Sequence, residues 1–198
     1  MAPLNEEQLH QIRDERRDQI MGAAIKVFAH RGIAGTKMSM IAAEAGISHG
    51  LLYHYFKSKE ELLTKLVEEA MAGAEDAISS IYRLPGTPLE KIRAFSMEML
   101  DESGAPYFML IHQVRTSDGV PEKVKELIAH YNMDRFIEYM LPLFVEGQQA
   151  GEILPGDPAE LISAYLSVLS ALMVLNVQAL GGYRMPKVDM LLRMIACL

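Results

Sequence analysis

The chain has 198 residues, half of them hydrophobic, one cysteine and a formal net charge of −7 at pH 7. This suits one compact domain, or a small domain attached to a larger one. The lone Cys197 excludes an internal disulfide and any Cys-rich zinc site, and the charged start MAPLNEEQLHQIRDERRDQ is no secretory signal, so a cytoplasmic location is expected.

The charge is unevenly placed. Residues 1–65 carry nine Lys/Arg and eight Asp/Glu, net +1, whereas residues 66–198 carry ten and eighteen, net −8. Within 26–59, Lys26, Arg31, Lys37, Lys57 and Lys59 stand against Glu44 alone. Polyanion affinity follows local neutralisation rather than whole-chain charge, so a basic patch on an acidic protein argues for a confined nucleic-acid surface.

Asn5-Glu-Glu-Gln8 predicts a helix start, with Asn5 as cap and Gln8 reaching back. Helical spacing continues to about His30, placing Ile20, Ala23, Ala24, Val27 and Phe28 on one face. Gly32 is expected to end this helix. Arg13, Arg16 and Arg17 interleave with Asp14, Glu15 and Asp18, which reads as a solvated face; the alternative is a phosphate or minor-groove contact.

The next stretch, Lys37 to Lys59, reads KMSMIAAEAGISHGLLYHYFKSK. Ile41, Ala42 and Ala45 share a helical face. Gly46 falls where a chain leaving a helix turns left-handed, a conformation open to glycine because it has no Cβ. Ser48 is the N-cap of a second helix, Gly50 to Phe56. A small contact residue, a short glycine turn and a capping Ser are what two closely crossing helices need. Leu52 and Phe56 face inward, while Tyr53, His54 and Tyr55 crowd the remaining surface. Aromatic filler is the bland account; three neighbouring rings that can hydrogen-bond suit phosphates and base edges better.

The segment IAAEAGISHGLLYHYFKSKEELL resembles, without a gap, the DNA-binding signature of the TetR (tetracycline-repressor-like) family. The similarity covers about residues 15 to 66, the first third of the chain. It implies an all-α fold, with an N-terminal three-helix helix-turn-helix DNA-binding domain over 1–58. A long helix would join this to a helical ligand-binding and dimerisation domain over 59–198. The DNA-contacting candidates are Thr36, Lys37, Ser48, His49, Gly50, Leu51, Tyr53, His54 and Lys59, with Tyr53 and Lys59 assigned to phosphate.

Three positions depart from the family pattern. A Thr commonly caps the second helix near position 37; here Thr36 precedes Lys37, and either one could take the phosphate contact. His49 stands where lysine is frequent, so a contact there would weaken as the imidazole loses its proton. Leu51 stands where Thr is common, which removes a hydroxyl but leaves an apolar contact to a thymine methyl open.

Ser58-Lys-Glu-Glu61 is a capping box opening a helix from Lys59 to about Tyr82, with Leu62, Leu63, Leu66, Val67, Ala70 and Ala74 as its buried stripe. Its roughly 24 residues would span about 35 Å, a rod able to transmit movement. Pro85-Gly-Thr-Pro88 is the first strong break. Thr87-Pro88-Leu-Glu90 starts another helix, Ser103-Gly-Ala-Pro106 interrupts, and Tyr107 to Arg115 is a short helix. A long helix is expected from Pro121 to about Gln149, kinked at Pro142. Asp157-Pro-Ala-Glu160 opens the last major helix, whose run to Leu180 is apolar on almost every side. Ser163, Ser167, Ser170, Asn176 and Gln178 argue against a membrane span and for burial against both its own domain and a second subunit. Pro186 to Leu198 reads as a final amphipathic helix. No segment shows useful strand periodicity.

Most of the fourteen methionines lie after Tyr82, and methionine adapts to varied apolar partners. Met97, Leu100, Tyr107, Phe108, Ile111, His112, Tyr131, Met140, Tyr165 and Met173 are candidates to line a ligand cavity, with an ordinary helical core as the alternative. His112 and His130 lack partners at metal-binding spacing, so no metal or cofactor is expected. No nucleophile elbow, phosphate loop or Glu-x-x-His pair supports an enzyme. The expected function is a homodimeric DNA-binding transcriptional regulator, a repressor released from a palindromic double-stranded operator by a small apolar effector, with no membrane partner. The alternatives are a helix-turn-helix regulator controlled by a protein partner and, remotely, a helical-bundle enzyme.

Overall fold

Several of the helices begin where local capping chemistry directs. In the computed structural model, which describes residues 6–101, 104–129, 133–175 and 184–197, the elements are as follows. The helices are α1 Glu6–Gly35, α2 Met38–Glu44, α3 His49–Tyr55, α4 Lys59–Ile81 and α5 Pro88–Met99; then come α6 Ala105–Thr116, α7 Glu122–Ala129, α8 Met133–Gln149, α9 Pro158–Val174 and α10 Val188–Leu192. Among the described residues the only β-type pairing is one antiparallel bridge, Ile153 to Ala196. No helix among them is long and apolar enough to cross a membrane.

The caps show how sequence becomes local structure. Thr87 Oγ1 accepts from the Glu90 N–H while the Glu90 carboxylate accepts from the Thr87 N–H, with Pro88 at the first turn. Asp157 accepts from the Ala159 N–H at 2.9 Å to open α9. At α4 the box is offset: Ser58 Oγ accepts from the Glu61 N–H at 3.0 Å, but Glu61 reaches the N–H of Lys57 at 2.7 Å. Asn5, the expected cap of α1, lies outside the described residues, as do His130 and Tyr131.

The chain groups into two compact units, Met1–Glu69 with Leu110–Leu127, and Ala70–Met109 with Ile128–Leu198. In the first, Ile20, Ala24, Phe28, Ile41, Leu52, Phe56, Leu62 and Leu66 are buried, joined by Val114, Val120 and Val124 from the later segment. Gln113 Nε2 donates to the Ala29 carbonyl at 3.1 Å, tying α6 to α1. Among the described residues its buried Oε1 meets no hydrogen-bond partner.

In the second unit α8 packs on α9, α5 lies against both, and α10 packs on α5. Ile92, Phe95, Phe144, Ile162, Tyr165 and Leu169 anchor its core. Gly147 permits the close approach of α8, since a Cβ there would lie 2.5 Å from Ile153 Cδ1 and 3.3 Å from Pro88. The buried polar pair is Tyr165 with Ser96: their hydroxyls are 2.8 Å apart, and Ser96 Oγ donates to the Ile92 carbonyl at 2.7 Å.

Several expectations need correction. Gly32 does not end the first helix outright; it breaks it with φ 73°, and a further turn follows through Gly35. On α4, Ala70 and Ala74 are only half-buried, and Met71 and Ile78 complete the stripe. The helix expected over Pro121–Gln149 is helical over 122–129 and 133–149, passing through Pro142. The final helix stops at Leu192 instead of Leu198. There the backbone turns to pair with another segment: Leu154 N–H donates to Ile195 O, and Cys197 N–H to Glu152 O, each at 2.8 Å. Within the chain α9 buries one face, Ile162, Tyr165, Leu166, Leu169, Leu172 and Met173, while Ala164, Ser167, Ser170 and Ala171 are exposed.

Candidate nucleic-acid interface

The turn between α2 and α3 is set by glycine geometry. Gly46 has φ 65°, and the Gly46 and Ile47 N–H groups donate to Ala43 O at 3.1 Å and Ala42 O at 3.0 Å. This paired bonding satisfies carbonyls that a helix end otherwise leaves open. A relay from α1 holds the same point: Arg16 donates to Gln19 Oε1, and Gln19 Nε2 donates to Ala45 O, each at 2.7 Å. Arg17 lies over the Phe56 ring, 5.6 Å from its centroid, so two of the three N-terminal arginines brace the motif. Arg13 is exposed.

Ser48 caps α3, its Oγ accepting from the Leu51 N–H at 3.2 Å; the helix starts one residue earlier than expected and ends one earlier. Leu52 and Phe56 are 0% and 2% exposed, which turns the rest of this seven-residue helix outward. His49, Gly50, Leu51, Tyr53 and His54 are all exposed. The His49 and Tyr53 rings meet edge-on with centroids 4.8 Å apart, and His54 meets Tyr55 likewise at 5.6 Å. Each imidazole is thus steadied by a phenol ring.

The flanking candidates divide. Lys37 is the extended N-cap residue of α2, exposed and making no side-chain cap. Thr36 is 2% exposed and its Oγ1 donates to Gly32 O at 2.7 Å; its hydroxyl is spent on the carbonyl freed by the break in α1. Lys59 is half-buried, and its ammonium donates to Ile33 O at 2.9 Å, so it caps the next carbonyl. Both residues brace the turn after α1. Lys57, exposed between α3 and α4, was not singled out from sequence; the local basic excess was the signal that contained it.

The candidate cavity residues do not share one environment. Ile111 and His112 belong to the first unit, the other described ones to the second. Met97 is 51% exposed, because Phe95 and Ser96 take the inward face of α5 and two helical residues turn the side chain by about 200°. His112 is exposed for the same reason, between buried Leu110 and Val114. Leu100, Tyr107, Phe108 and Ile111 are half-buried, and Met140, Tyr165 and Met173 are buried.

Comparison with known proteins agrees with this geometry. A sequence model described as bacterial regulatory proteins, tetR family, matches residues 20–66. The fatty acid metabolism regulator protein of Bacillus subtilis is 30% identical over 144 residues, covering 70% of this chain and 71% of that protein. Further curated relatives match over 38–40% of their own length. The ketosteroid transcriptional regulator KstR2 of Mycobacterium tuberculosis superposes with a TM-score of 0.71 at 19% identity, covering 92% of this chain and 96% of that one. AibR, solved with isovaleryl coenzyme A and operator DNA, gives 0.66 at 21% identity, covering 90% and 94%. At these identities the two structures speak to fold. The matched signature and the curated relative go further: the chain belongs to the tetR family of bacterial regulatory proteins and is a helix-turn-helix transcriptional regulator.

Proposed function

We propose that this regulator is a homodimeric cytoplasmic repressor that leaves a palindromic operator when a small apolar molecule binds it. The observation that carries the DNA half is the outward face of α3, where His49, Gly50, Leu51, Tyr53 and His54 are exposed on a helix whose start is pinned by Ser48. Residues 1–58 read the operator in this account, with Lys37, Lys57, Tyr53 and Lys59 against phosphates. Residues 59–198 carry the effector and dimer functions.

Among the described residues the second unit buries no charged side chain, and its buried polar groups are the Ser96 and Tyr165 hydroxyls. That interior suits an apolar effector, which Met140, Tyr165 and Met173 would meet first. The relative that regulates fatty acid metabolism and the neighbour solved with an acyl coenzyme A support a ligand-responsive reading. The exposed small residues of α9, Ala164, Ser167, Ser170 and Ala171, together with the 36% exposure of Val145 on α8, support pairing of these helices across a two-fold axis. Half-sites would then lie about 34–36 Å apart or at a multiple of that. An effector acts by preferring the conformation whose reading heads are wrongly spaced; equal affinity for both states would release nothing.

The test is fluorescence anisotropy on a duplex enriched from a random pool by the protein, beside sedimentation of the free chain. A dimer enriching a palindrome, then released by an apolar extract fraction, is the expected result. A stable monomer, or enrichment of no sequence, would refute it. Operator binding that responds to a protein partner and to no small molecule would favour control by that partner.

A further inference from the structure

The outward surface of α3 contains one element that protein packing does not explain. With Leu52 inward and about 100° between successive residues, Gly50 and His54 point away from the core, and Leu51 and Tyr53 flank them on opposite sides. Gly50 is helical with no positive φ, and a Cβ added there would meet nothing within 4 Å. Glycine inside a helix is unfavourable relative to alanine, and no neighbouring protein atom demands it here. A missing side chain with open space around it serves whatever approaches from outside. Next to it stands Leu51, 37% exposed, its N–H held by Ser48 Oγ at 3.2 Å. An alkyl group thus stands on the leading turn of the helix, among His49, Tyr53 and His54, side chains able to form hydrogen bonds.

In the major groove the base edges offer donors, acceptors and one apolar group, the C5-methyl of thymine. Against any other edge Leu51 would strip water from a polar atom and return no hydrogen bond, which is unfavourable. We infer that Leu51 reads a thymine methyl in each half-site, and that Gly50 lets the start of α3 come close enough for the contact. This rests on the reading of α3 as the major-groove helix and adds a base preference to it.

The experiment uses the full-length dimer and a duplex it enriches from a random pool. The thymines of each half-site are replaced in turn by deoxyuridine, which keeps every hydrogen-bonding group and removes only the methyl. Burying one methyl corresponds to about a four-fold change in affinity, so one position should weaken binding about four-fold in one half-site and about sixteen-fold in both. Leu51→Ala should bind the thymine and uracil duplexes equally, with only a small fall in Tm because the side chain is partly exposed. Gly50→Ala should raise Tm and weaken binding to both. Wild-type protein that binds thymine and uracil duplexes alike at every position overturns the inference and leaves the DNA reading intact. So does a Leu51→Ala variant that keeps the discrimination. Enrichment of no sequence removes the DNA reading and the inference together.

Discussion

Replacing Ser48 separates the folding of α3 from its use. Its Oγ makes the one side-chain cap on this helix, accepting from the Leu51 N–H at 3.2 Å, and no acidic residue in the first turn can substitute. Ser48→Ala should therefore cost about 1 kcal/mol, the usual value for an N-cap. For a chain of this size that lowers Tm by about 2–4 °C. Ser48→Asp keeps an accepting oxygen and adds negative charge at the positive end of the helix, so folding stability should match or exceed wild type. In the proposed DNA interface the same carboxylate would face phosphate. Two like charges about 4 Å apart repel by about 1 kcal/mol in water and about 4 kcal/mol at a protein surface. Ser48→Asp should thus lose at least five-fold in operator affinity while its Tm holds. Differential scanning calorimetry and anisotropy at fixed salt read the two effects independently. Wild-type affinity in Ser48→Asp would remove Ser48 from the DNA surface; an unchanged Tm in Ser48→Ala would remove the cap.

Three further outcomes follow from the same geometry. Gly46→Ala must hold φ 65° with a side chain; since among the described residues nothing beyond its chain neighbours lies within 4 Å of the new Cβ, the loss is backbone strain of about 1–2 kcal/mol, read as a fall in urea midpoint at constant slope. Lys57→Ala should reduce the salt slope of DNA binding by about 0.9 per half-site and spare Tm, whereas Lys59→Ala should lower both, since its ammonium also holds Ile33 O; an unchanged salt slope in Lys59→Ala would show that it is only a brace. Burial pushes the Tyr165 hydroxyl above the usual 10.0. The fold holds the neutral phenol, so stability from this group is complete below about pH 10 and is lost as pH rises through the raised value. Tyr165→Phe should cost about 1 kcal/mol at pH 7 and flatten the alkaline fall in Tm, leaving the share due to Tyr82, which burial also raises. An alkaline profile parallel to wild type would refute that assignment.

The turn after α1 shows how a reading surface is braced from behind. The break at Gly32 frees two successive carbonyls; Thr36 takes that of Gly32 and Lys59 that of Ile33. The Arg16–Gln19–Ala45 relay fixes the far end of α2. Side chains that sequence resemblance assigned to DNA are here partly occupied in positioning the helices that present the others. Lys59 can serve both purposes, since an ammonium has three donors; the buried Thr36 hydroxyl serves one.

What the amino-acid order determined alone is what depends on residues within about four positions of each other. The Thr87–Glu90 box, the Asp157 and Ser48 caps and the left-handed Gly46 are local bargains between a side chain and its own helix end, and the structure contains all of them. The helix-turn-helix is equally local, a contact alanine, a glycine and a cap in one short run. What tertiary structure decided depends on partners far along the chain. Residues 110–127 join the N-terminal unit because Val114, Val120 and Val124 find apolar cover there and Gln113 finds the Ala29 carbonyl. The C-terminal segment abandons its helical pattern after Leu192 because Glu152 and Leu154 offer its backbone another set of hydrogen bonds. Helical periodicity records which side of a residue is apolar; it carries no record of which distant segment will cover that side.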